Sequence, residues 1–171
     1  MFKFEQYAMR SYSAEVIRVC GMEEPRWLDA EEMRLWVRFL AAGALVDRAV
    51  DQHLKGEGLT HTQYEVLVRL AAETGGAMRM TDLAAAIYTS KSGLTYQVGK
   101  LERAGLVRRV DDDTDVRGVN AVLTAAGRAK LEAVAPGHVE VVRRVFVDVL
   151  EPAQRAAISA GLGAVADGLT R

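Results

Sequence analysis

Between positions 91 and 109 the chain carries Lys91, Ser92, Thr95, Tyr96, Gln97, Lys100, Arg103, Arg108 and Arg109. At helical spacing, Ser92, Thr95, Tyr96, Gln97 and Lys100 fall on the face away from an apolar stripe of Leu94, Val98 and Leu101. Hydroxyl, amide and ammonium groups of this reach suit phosphate oxygens and base edges. Lys91 and Arg103 add charge to the same helix. Arg108 and Arg109 alternate on a strand, so at most one faces a bound duplex, and Arg109 is the candidate. Residues 79–109 hold six basic side chains against Asp82 and Glu102, a local charge of +4 in a chain of net charge −1, which leaves −5 for the rest. Such segregation lets one face attract phosphate while the body stays acidic. No nucleophile stands beside a base in a supporting motif, and no glycine-rich phosphate loop is present, so catalysis is not expected.

The elements that must hold these residues are mostly helical. A helix is expected over 30–54, with Met33, Trp36, Val37, Leu40, Ala44 and Ala49 at spacings of mostly three and four. Lys55-Gly56-Glu57-Gly58 breaks it. A second helix is expected over 61–73. Thr60 and Gln63 form its capping box, and Tyr64, Leu67, Leu70 and Ala71 give its apolar stripe. A short helix is expected over 81–88, with Thr81 and Asp82 at its start and Leu83, Ala84 and Ile87 inward. A break at Thr89-Ser90 leads to a helix over 91–104, stopped by Gly105.

After Gly105 the apolar period falls to about two. Strands are expected over 106–110 and 116–123, around an acidic loop, Asp111-Asp112-Asp113-Thr114-Asp115. The loop's aspartates are expected to point away from a duplex. Thr124 caps a long helix over 125–150, in which Pro136-Gly137 predicts a kink or a break. The valine-rich stretch 139–150 fits a helix through Val142, Val145, Phe146 and Val149 and a strand through Val145, Val147 and Val149; its length and neighbours favour helix. Pro152 opens a last helix, running to about 169.

Two short helices followed by a hairpin have the size of a helix-turn-helix with a wing. In that arrangement the second helix enters the major groove, and the wing reaches phosphates or the minor groove. The expected fold is mainly α with a small β-hairpin wing.

Several motifs, in order, resemble MarR-type regulators. Leu59 to Leu67 is similar to their LTxxQxxVL entry. Leu83-Ala84, Ser90-Lys91-Ser92, Leu94-Thr95, Val98, Leu101-Glu102 and Gly105-Leu106-Val107 resemble their recognition-helix pattern. Asp115-Val116-Arg117 resembles the wing's D-x-R, and Leu123-Thr124-Ala125-Ala126-Gly127 the LTxxG start of the long helix. The resemblance covers about 30–169. It implies a winged helix-turn-helix lobe over 59–123, a dimerisation helix over 30–58, dimerisation helices over 124–171, and an N-terminal extension over 1–29. It implies a homodimer bound to a pseudo-palindromic operator on double-stranded DNA. It also implies a repressor released by a small aromatic or phenolic ligand, with no cofactor. On the resemblance the helix from Ser90 to Arg103 reads the major groove. Arg117 is the wing arginine at the minor groove, oriented by Asp115. Trp36, Phe39 and Tyr64 are the candidate ligand-pocket residues, or else dimer core. Three positions depart from the pattern: Gly99 replaces a polar residue, Tyr96 stands where arginine is common, and Pro136-Gly137 interrupts a helix often continuous in relatives.

Other readings are weaker. A lone Cys20 closes no intramolecular disulfide, and a passive thiol is the simpler reading beside a redox sensor. His53 with Glu57, or His61 with Glu65, stands at i, i+4, yet with His138 distant in sequence no metal-ligand array is expected. A redox- or metal-responsive regulator of the same fold is one alternative; a winged-helix module that contacts protein instead of DNA is another. With 50% hydrophobic and 26% charged residues the chain is neither disordered nor collagen-like. It has no apolar signal core or span, and a cytoplasmic location is expected.

Overall fold

The computed structural model of the chain describes residues 26–112 and 115–170, with the backbone alone for 115–117. Cys20 lies outside them. Packing divides the chain into two units, Met1–Ala41 and Ala42–Arg171.

In the first unit, helix α1 (Ala30–Gly56) begins. Asp29 Oδ1 accepts the Glu31 and Glu32 amides at 2.7 and 2.9 Å, and Glu32 Oε2 accepts the Asp29 amide at 3.0 Å. This closes the helix start in a reciprocal cap. The apolar stripe forms, and the other described residues leave much of it exposed: Leu35 is 71% exposed, and Trp36, Val37, Phe39 and Leu40 are about half exposed. Trp36 and Phe39 stack on each other, with ring centroids 5.9 Å apart.

In the second unit, α1 contributes buried Val50 and Leu54. Helix α2 (His61–Ala72) starts in the expected capping box: the Gln63 amide donates to Thr60 Oγ1 at 3.2 Å, and the Thr60 amide to Gln63 Oε1 at 3.0 Å. Strand β1 (Ala77–Arg79) and helix α3 (Met80–Ala86) follow, then α4 (Lys91–Arg103), β2 (Val107–Asp112), β3 (Asp115–Leu123), α5 (Ala125–Val142) and α6 (Pro152–Leu169). Leu67, Leu70, Leu83, Leu94, Val98 and Leu101 are almost wholly buried in one core shared by α2, α3 and α4. Of the inward residues expected for these helices all are buried except Ala71, which is half-buried, and Gln63 and Val66 are buried in addition.

The sheet is antiparallel, in the order β1-β3-β2. The expected hairpin is therefore a three-stranded sheet, with Met78 opposite Ala121 and Arg109 opposite Ala121 on the other edge. β1 is too short to carry a period, and Gly75-Gly76 ahead of it reads only as a helix stop. The acidic loop is also shorter than expected. Asp111 and Asp112 belong to β2, with a bulge between them, and Asp112 pairs with Arg79 at 3.2 Å.

Three further expectations need correction. The α3 cap is Arg79, whose side chain makes no capping bond, while Thr81 Oγ1 donates to Asp82 Oδ1 at 3.2 Å inside the helix. α3 stops at Ala86, and the turn centres on Tyr88 at φ +52. The helix from Ala125 does not break at Pro136-Gly137. It continues to Val142 and passes into a π-helical turn, Arg143–Val147, so it neither breaks at the proline nor runs as α-helix to 150. Proline forfeits one amide bond, and the flanking turns keep theirs. Gly137 is where His53 packs: a Cβ there would come within 2.8 Å of the imidazole. α6 begins at Pro152 as expected and buries none of its residues.

Candidate nucleic-acid interface

Helix α4 gathers the polar face. Leu94, Val98 and Leu101 anchor it in the core, which forces Ser92, Thr95, Tyr96 and Arg103 outward. Ser90 caps it: its Oγ accepts the Gly93 amide at 3.1 Å and lies 3.2 Å from Ser92 Oγ. Thr95 Oγ1 donates back to the Lys91 carbonyl at 2.8 Å. Lys91, Ser92, Tyr96, Lys100 and Arg103 are exposed. Gly99 lies on the same face with nothing within 4 Å of where a Cβ would stand, so the face has a bare patch at its middle.

The Lys100 ammonium sits 4.6 Å from the centroid of the Tyr96 ring. Its hydrogen bond and its charge hold the Tyr96 hydroxyl below the ordinary 10.0. Gln97 is half-buried, with its Oε1 buried and without a partner among the described residues, so it flanks the face and is not fully on it.

Beside α4 stands the wing. The Arg109 backbone amide donates to Glu102 Oε1 at 3.0 Å, and its Nε and Nη2 donate to Glu102 Oε2 at 2.8 and 2.6 Å. These bonds hold the Glu102 carboxyl below its ordinary 4.5. Of the six basic residues in the patch, Arg109 and Arg79 are thus in ion pairs. Lys91, Lys100, Arg103 and Arg108 form none among the described residues. An open cleft of about 340 Å³ separates Thr95 on α4 from Arg79, Arg109 and Gly118 on the sheet. Asp115 and Arg117 stand at the start of β3, and their side chains lie outside the described residues.

The other predicted residues divide between the two units. Trp36 and Phe39 lie in the first unit. Tyr64 is a core residue of the second, its ring 4.3 Å from His138, and burial pushes its hydroxyl above 10.0. His53, His61 and His138 are nearer to one another than their sequence spacing suggests, because α1, α2 and α5 converge; the charges of His61 and His53 reach His138. His61 Nδ1 lies 2.9 Å from Asp47 Oδ1. Among the described residues no group of three or more ligands is placed to hold a metal. No described helix is long and apolar enough to cross a membrane.

A helix-turn-helix whose second helix bares a polar, basic face, flanked by a small antiparallel wing, defines a winged-helix DNA-binding protein. The model of the MarR family matches residues 57–118. The regulator PecS of Dickeya dadantii is 30% identical over 140 residues, 81% of each chain. AbsC of Streptomyces coelicolor, a MarR family transcriptional regulator, is 40% identical with a TM-score of 0.82, over 85% of this chain and 99% of that one. Sco3205, from the same organism and family and solved in complex with DNA, is 39% identical with a TM-score of 0.84, over 87% and 94%. The chain belongs to the MarR family. It is a DNA-binding transcriptional regulator and not an enzyme.

Proposed function

We propose that the chain works as a homodimeric repressor on a pseudo-palindromic operator, released by a small aromatic ligand. The observation that carries the DNA part is the α4 face: Ser92, Thr95, Tyr96, Lys100 and Arg103 outward over a fully buried Leu94-Val98-Leu101 stripe. In this reading α4 lies in the major groove, and Arg117 reaches the minor groove from the wing. Ser90 and Lys91 at the helix start contact phosphate, while Gln97 and Arg109 support from the flank. Dimerisation is supported by the apolar surface left uncovered. Leu162, Val165 and Leu169 recur along α6, all exposed, and a second uncovered stripe runs along α1. Surfaces of this kind are normally covered by a partner. A regulator of this class acts where the chromosome is, in the cytoplasm.

Fluorescence anisotropy tests the reading. The probes are the duplex upstream of the chain's own gene and a scrambled control, across a salt series. Sequence-dependent binding with a steep salt slope, reduced in Arg117→Ala, is expected. Sedimentation is expected to give about twice the 18.7 kDa chain mass. Equal binding to both duplexes would remove the operator assignment. No binding at low salt would favour a protein-contact module instead.

A further inference from the structure

We infer that Tyr88, in the turn between α3 and α4, donates its hydroxyl to a DNA backbone phosphate at the edge of the groove that α4 enters. The inference rests on the DNA reading of α4 and adds a contact to it. Tyr88 is the one non-glycine residue with positive φ among those described, at +52. Its Cβ crowds the backbone in that conformation, and for a bulky side chain the outlier is unfavourable. Glycine or asparagine would serve the turn without that cost.

Nothing among the described residues compensates. The backbone amide donates to the Ala85 carbonyl at 3.1 Å, as any residue's would. The side chain is 80% exposed, and among the described residues it makes no ring contact and no hydrogen bond. A bulky side chain held in local strain, with no partner among the described residues, points to an external one. The neighbours identify it. Tyr88 stands two residues ahead of the Ser90 cap, where the recognition helix starts. The first amides of α4, at Lys91 and Ser92, have no intrahelical acceptor, and Lys91, the first residue of the helix, is exposed. Their surroundings are positive and rich in donors. A phenolic hydroxyl is a good neutral donor to phosphate.

The test uses the full chain and a fluorescent mixed-sequence duplex of about 30 base pairs, at low salt, because a phosphate contact is sequence-independent. Tyr88→Phe removes only the hydroxyl. Tyr88→Asn removes the reach and tolerates the turn. Both are expected to bind about tenfold more weakly. The salt slope should stay unchanged, since a neutral donor displaces no counterion. Tyr88→Asn should melt at or above the wild-type temperature, which separates lost contact from lost fold. Wild-type affinity in Tyr88→Phe overturns the inference, whatever Tyr88→Asn does. A wild-type chain that bound no duplex would take the DNA reading of α4 down together with this contact; wild-type binding with unaffected variants removes the contact alone.

Discussion

Arg109 on β2 grips Glu102 on α4 through its backbone amide and two guanidinium nitrogens at once. The wing and the helix beside it thus share one carboxylate. The pair ties α4 to the wing and also neutralises one cation of the basic patch.

Glu102→Ala is expected to release both effects. The freed Arg109 adds a cation, so non-specific binding to duplex should strengthen at low salt and its salt slope steepen by about one. Discrimination between the upstream duplex and a scrambled one should shrink, because the wing loses its anchor. Anisotropy over a salt series reads both. An unchanged slope would mean that Arg109 stays off the duplex when freed. The carboxyl's depressed value also sets a pH window. The clasp contributes fully above the ordinary 4.5 and is lost only as pH falls through the lower folded value.

Two glycines should respond in opposite directions. A methyl at Gly127 would overlap the Leu106 carbonyl oxygen, which accepts the Thr124 amide at 3.1 Å, while Thr124 Oγ1 caps the Gly127 amide at 2.9 Å. The backbone cannot retreat without breaking the cap, so Gly127→Ala is expected to cost about 2–3 kcal/mol. Gly99 meets nothing, so Gly99→Ala should stabilise by up to about 1 kcal/mol. Urea denaturation of both variants checks the pair. A stable Gly127→Ala would mean that α5 docks less tightly on the wing than its start indicates.

His138 should make stability depend on pH. Among the described residues its buried Nδ1 finds no hydrogen-bond partner. Burial first, then the charges of His61 and His53, push its pKa below the ordinary 6.5. The unfolded chain takes up this proton near 6.5 and the folded chain only at lower pH. The contribution is therefore whole above 6.5 and shrinks as pH falls toward the folded value. Tm is expected to be lower at about pH 5.5 than at about pH 7.5. His138→Phe keeps a ring on Tyr64 and should flatten that slope. Melts of both proteins across pH decide it; parallel curves would assign the slope to other groups.

Local patterns carried much of this molecule. The Thr60-Gln63 box, the Thr124 cap, the Gly105 stop and the Leu94-Val98-Leu101 stripe act within one turn of helix, so neighbouring residue types were enough to place them. The polar face of α4 followed, because a buried stripe dictates what points the other way. Tertiary contacts decided the rest. Three residues show no period, so β1 became a strand only by pairing with β3. Pro136 stayed helical within an α5 that buries Gly127, Val134 and Val141 on either side of it, and Gly137 is needed where His53 leans on it. Gln97 moved to the flank, Arg109 went to Glu102, and Tyr88 took the strained turn. Each is set by backbone geometry and by how packed elements meet, which sequence spacing alone does not contain.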